Sequence, residues 1–97
     1  VEEIRFLEAD GNYTIIHLGG LTKIVACRPL GEYEKILDPP MFFRIHKSTI
    51  INLNYLKAYS SYQGHDIILT DDTRLTISRR RLQEFREAVK HFSRSPD

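Results

Sequence analysis

At 97 residues, with 41% hydrophobic residues and a net charge of +1, the chain suits one compact soluble domain and not a disordered tail. No apolar run approaches the roughly 20 residues of a membrane span, and no signal-peptide pattern opens the chain. The charge is unevenly spread: residues 1–40 hold seven acids and four bases, whereas residues 41–97 hold six acids and ten bases.

The first segment, "IRFLEAD", reads as a short strand ending at the turn "DGN". The β-branched run "YTIIHL" follows and stops at Gly19-Gly20, and "LTKIVA" continues the pattern as a third strand. Cys27 comes next. As the sole cysteine it excludes an internal disulfide, which favours the cytoplasm. After "IVA" it reads as a small buried apolar residue and not as a nucleophile. "PLGEYEKIL" begins with Pro29 and sets Leu30, Tyr33, Ile36 and Leu37 at helical spacing. It predicts a short helix that ends before Pro39-Pro40.

"MFFRI" predicts a strand, and "HKSTIINLN" a loop leading into a 3₁₀ or irregular turn, because Asn52 and Asn54 favour turns. "YLKAYSSYQG" and "HDIILTDD" predict a hairpin around Gly64, with Asp71-Asp72 in a solvated turn and "RLTIS" beyond it. Ser78 is placed to cap a helix through "RRRLQEFREAVKHF", in which Leu82, Phe85, Val89 and Phe92 share one face. The expected fold is mainly β: short antiparallel strands with one short internal helix and a C-terminal helix. Residues 1–93 form the expected domain and 94–97 a tail. The chain opens on Val1 and not on Met, which reads as a piece of a longer protein.

No glycine-rich phosphate loop, H-E-x-x-H or C-x-x-C occurs, and His17, His46, His65 and His91 lack metal-ligand spacing. An enzyme, a metal centre and a cofactor are therefore not expected. The basic groups carry the signal instead. No acid lies between Pro39 and His65, where Arg44, Lys47 and Lys57 sit, or between Thr73 and Gln83, where Arg74, Arg79, Arg80 and Arg81 sit. The plain interpretation of "RRR" is a solvated basic face. Yet cations at the start of a helix meet its positive pole and repel one another, so the placement favours an anion site. In "RIHKS", Arg44, His46, Lys47, Ser48 and Thr49 together offer donors for phosphate oxygens or base edges. Asn12 and Tyr13, in the first turn, are a third candidate, although Asn12 is first of all a turn former.

"FLEADGNYTIIHL", "FFRIHKSTIINLNYL" and "LTISRRRLQEF", in that order, resemble the LytTR DNA-binding domain, the output domain of LytR/AlgR-type bacterial response regulators. The resemblance covers nearly the whole chain. It implies an elongated, mostly β fold that reads major grooves of double-stranded DNA through loops along one edge. By position it assigns Tyr13, Lys47 and Arg79 to base or groove contacts, and His46, Ser48, Arg80 and Arg81 to phosphate contacts or their support. It implies a cytoplasmic transcription regulator whose receiver or sensor domain lies outside this segment. Two copies would occupy imperfect DNA repeats as a homodimer, with no membrane partner. Family domains begin with a further strand before the one matching "IRFLEAD", which leaves an open sheet edge there. Two other readings compete: a small β RNA-binding module, and a protein-interaction module using an open sheet edge.

Overall fold

The alternation of apolar and polar residues breaks down at Phe6-Leu7, Phe42-Phe43 and Ile50-Ile51, where neighbours in the chain must face opposite sides of a sheet. Strands of that kind need cover on both faces. The computed structural model, which describes residues 4–20, 22–37, 41–60 and 65–93, supplies it. A five-stranded antiparallel sheet of order β3-β2-β1-β5-β4 is built from β1 (Ile4–Asp10), β2 (Tyr13–Leu18), β3 (Lys23–Ala26), β4 (Phe42–His46) and β5 (Thr49–Asn52). Helix α1 (Leu30–Ile36) lies on one face. There Leu7, Leu30, Phe42 and Ile50 form one core cluster. On the other face lie a three-stranded sheet, β6 (Leu56–Ser60), β7 (Asp66–Leu69) and β8 (Arg74–Thr76), and helix α2 (Leu82–Ser93). Phe6, Ile45 and Ile51 meet Leu53, Ile67, Leu69, Ile77 and Phe85 in this second and larger cluster.

The expected mainly β fold with two helices is therefore present, and Leu82, Phe85, Val89 and Phe92 do pack inward. Phe85 is fully buried, edge-on to Phe43 at 5.7 Å and to Tyr59 at 5.0 Å between ring centroids. The extents are 34 × 30 × 25 Å, so the elongation that the resemblance implies is slight.

Four expectations are corrected. Residues Thr49–Asn52 are not a loop but β5, an interior strand bonded to both β1 and β4. Its brevity hid it, although the expected 3₁₀ turn does follow directly. Asn52 is fully buried, donating from Nδ2 to the Ile4 carbonyl at 2.8 Å and accepting the Asn54 N–H at 2.9 Å. It thereby starts the 3₁₀ turn Leu53–Tyr55. Cys27 is exposed and not buried. It follows β3, an edge strand that neither α1 nor the second sheet covers, where Ile24 and Val25 are exposed as well. β1 has no open edge, because β2 and β5 flank it. Ser78 makes no side-chain cap; residues Arg79–Arg81 form a 3₁₀ turn, and α2 starts only at Leu82. The expected turns at Pro39-Pro40 and Gly64 lie outside the described residues.

Asp71 also differs from a merely solvated turn residue. It pairs at 2.5 Å with Arg5, which is 7% exposed, and Asp72 pairs with Lys57 at 2.8 Å. Arg5 also donates from Nε to the Leu18 carbonyl at 2.7 Å, so it fastens the β1–β2 pair to the β7–β8 turn.

Candidate nucleic-acid interface

The register of the five-stranded sheet decides where the candidate groups fall. Asp10 pairs with Tyr13, Glu8 with Thr49, and His46 with Thr49. The β1–β2 turn with Asn12 and Tyr13 and the β4–β5 turn with Lys47 and Ser48 therefore emerge at the same end of the sheet. The Ala9 N–H to Ser48 carbonyl bond, 2.9 Å, ties these neighbouring strands together at that end. Gly11, at φ 63°, allows the tight first turn, because a side chain there is disfavoured. Tyr13 is 49% exposed and belongs to neither core cluster.

A β-bulge between Arg44 and His46 shapes the second turn, with Ile45 as the extra residue. Ile45 keeps its side chain in the larger core, while Arg44 stands opposite Ile50 on the α1 face. The Arg44 guanidinium then holds the turn. Nε donates to the His46 carbonyl at 3.2 Å, Nη2 to the Lys47 carbonyl, and Nη1 to Glu34 Oε1 at 2.7 Å. His46 Nδ1 accepts the Ser48 N–H at 3.2 Å and lies 3.0 Å from the Ser48 hydroxyl. With Nδ1 as acceptor, the neutral imidazole carries its proton on Nε2.

The arginine run joins the same place through Ser78. Its N–H donates to the Ile45 carbonyl at 2.7 Å, which docks the end of β8 against β4. Arg81 Nη1 reaches the Arg44 carbonyl at 3.3 Å. The outcome is an open groove of about 400 Å³ lined by Arg44, His46, Lys47, Ser78, Arg80 and Arg81, with no carboxylate in its lining. Lys47, Arg79 and Arg80 have no acidic partner among the described residues, and Lys47, Arg79 and Arg80 are exposed. Four cations of the acid-free segments do have acids, against the expectation from sequence: in the groove Arg44 has Glu34 and Arg81 has Glu84 at 4.0 Å, and away from it Lys57 has Asp72 and Arg74 has Asp66 at 3.4 Å. Helix α1 brings Glu34 back beside a segment that is acid-free only along the chain.

Two groups escaped the sequence reading. Glu34 is one. Arg28 is the other: exposed, its carbonyl accepts the Thr14 hydroxyl at 2.6 Å, near the Asn12–Tyr13 turn. A lone cation before Pro29 gave no signal. No group of three or more His, Cys, Asp or Glu among the described residues is arranged to hold a metal ion. No helix among them is long and apolar enough to cross a membrane.

The sequence profile described as the LytTr DNA-binding domain matches residues 1–90. The chain belongs to the LytTr DNA-binding domain family. This LytTr domain is similar to the transcriptional regulatory protein LytR of Staphylococcus aureus (strain N315), at 32% identity over 69 residues, covering 69% of this chain and 28% of that protein. It is similar as well to the CO-responsive transcriptional regulator RcoM of Rhodospirillum rubrum, at 32% identity over 68 residues, covering 70% of the chain and 28% of that protein. A solved LytTr DNA-binding domain of a Bacillus cereus response regulator shares the fold, with a TM-score of 0.81 at 24% identity, covering 91% of this chain and 82% of that one. The LytTr domain thus spans less than a third of the length of these curated relatives.

Proposed function

We propose that this LytTr domain reads double-stranded DNA sequence through the loops at one end of its five-stranded sheet, as the output domain of a cytoplasmic bacterial transcription regulator. One observation carries the reading: the two acid-free segments, remote in sequence, meet in a single cationic groove through the Ser78–Ile45 bond. Lys47 and Arg79 reach base edges in this reading, with Tyr13 and Asn12 entering from the neighbouring turn. His46, Ser48 and Arg80 contact phosphates, and Arg44 and Arg81 hold the frame. The receiver or sensor part of the protein lies outside these residues. Two copies bind imperfect repeats about one helical turn apart.

Both faces of the five-stranded sheet carry partners in the fold, and the exposed aromatics among the described residues, Tyr13 and Tyr59, stand on different sheets and make no shared platform on which RNA bases would stack. Mobility shifts with duplex DNA, single-stranded DNA and RNA of one length test the assignment. The expected result is retention of duplex DNA with a sequence preference that survives excess scrambled duplex. Equal or tighter retention of RNA overturns it.

A further inference from the structure

We propose that Glu34, an acid on α1, is a positioning residue for DNA reading, which acts through Arg44 to set the turn that carries Lys47. This rests on the groove reading above and adds to it a residue of the wrong charge for direct contact with DNA.

The geometry is a relay with one guanidinium at its centre. Arg44 spans the carbonyls of two consecutive turn residues, His46 and Lys47, and its remaining flank is taken by the Glu34 carboxylate at 2.7 Å. A guanidinium is a rigid planar fork, so fixing it on one side fixes what it holds on the other. The Arg44 side chain is only 18% exposed, and its own carbonyl is held by Arg81 at 3.3 Å. The Lys47 carbonyl is therefore fastened while its side chain stays outside, exposed and without an acidic partner among the described residues. α1 is seated for this role. Leu30 is buried against the sheet, and Tyr33 and Leu37 pack on the same cluster. Glu34 follows Tyr33 on the flank of the helix that faces β4. Without the carboxylate, the guanidinium is drawn out toward water or phosphate, and it releases both carbonyls.

The sign of the effect separates this role from simple charge. An acid near a DNA-binding groove opposes binding through the phosphate term, so its removal on charge alone tightens every duplex alike. A positioning role predicts the reverse for a preferred sequence. The test compares Glu34→Gln, Lys47→Ala and the double variant with the unaltered chain. The probes are a duplex selected by that chain from a randomised library and a scrambled duplex of equal length. Gln is isosteric with Glu and the site is half-exposed, so folding is retained; melting curves verify it.

Glu34→Gln is expected to weaken the selected duplex by about two- to fivefold, the scale of a partly exposed ion pair, and to leave the scrambled duplex unchanged or tighter bound. In the Lys47→Ala background the same change has no further effect, because the turn it shapes no longer carries the reading group. If Glu34→Gln tightens or leaves unchanged both duplexes alike, or if its loss persists in full beside Lys47→Ala, the positioning role is overturned while the groove reading stands. If Lys47→Ala alone binds the selected duplex as the unaltered chain does, the groove reading falls, and the role of Glu34 falls with it.

Discussion

Arg5 and Arg44 are used in parallel ways at two corners of the molecule. Each guanidinium bonds a backbone carbonyl through Nε and a carboxylate through Nη1. At the Arg5 corner the account closes: the cation is almost fully buried, Asp71 answers its charge, and Thr73 stands at 3.5 Å. The corner joins the two sheets. At the Arg44 corner the same fork is answered by Glu34 on one flank only. On the groove side Lys47 and Arg80 add positive charge that no described acid meets, and Arg79, outside the groove lining, precedes Arg80 in the chain. Arginine alone therefore marks neither stability nor binding. The distinguishing quantity is the local surplus of cations over acids.

The largest effects should fall on the surplus side. Lys47→Ala and Arg79→Ala are each expected to weaken specific DNA binding by about 1–3 kcal/mol, the scale of a lost base contact, with melting temperatures near those of the unaltered chain. A clear loss of stability in either variant moves that residue into the class of Arg5 and breaks the contrast. At the Arg5 corner the expected readouts are exchanged. Asp71→Asn should destabilise the fold by about 1–2 kcal/mol, below the usual figure for a buried pair because Asp71 is 40% exposed, and leave DNA affinity unchanged.

The same corner predicts an acid response. Burial pushes the Asp71 carboxyl up, but the Thr73 hydroxyl and N–H and the Arg5 charge outweigh it, and the net direction is below the ordinary aspartate value. A lowered folded value means that the stabilisation is present above the ordinary value of about 4 and is lost as pH falls through the folded one. Thermal melts taken downward from neutral pH should show this loss, and Asp71→Asn should show a shallower acid limb.

Smaller still is the effect of Arg80→Ala. It should weaken all duplexes alike and flatten the slope of log affinity against log salt by about 1 unit. An unchanged slope means that Arg80 neutralises no phosphate. Arg80 is the sharper single test, since Arg81 also holds the Arg44 carbonyl and lies near Glu84. Cys27→Ser, at an exposed site after an edge strand, should change stability by less than about 0.5 kcal/mol and leave binding alone.

Local chemistry made much of this legible. The glycine turn, the helix between two prolines' positions and the amphipathic C-terminal helix announce themselves over a few residues. So do the three groups that gather at one sheet end. The failures have one cause, which is that cover comes from elsewhere in the fold. β5 was obscured because four residues that follow a polar turn and end in an asparagine resemble a loop until both faces are covered. Cys27 misled for the opposite reason, since an apolar strand at an uncovered edge buries nothing. The Arg5–Asp71 pair spans 66 positions, and no spacing rule reaches so far. Glu34 lies outside the acid-free run by sequence and beside it in space.

The turn that carries Lys47 runs directly into the interior strand β5, and Ser48 is bonded back to β1. Amides of such a strand exchange with solvent chiefly when the whole domain opens, so the turn is rooted in the slowest-opening part of the molecule. Because the turn's backbone is held in one conformation before a partner arrives, docking there should remove little conformational entropy from it. Side-chain changes in the turn should then register more in the lifetime of the complex than in its rate of formation.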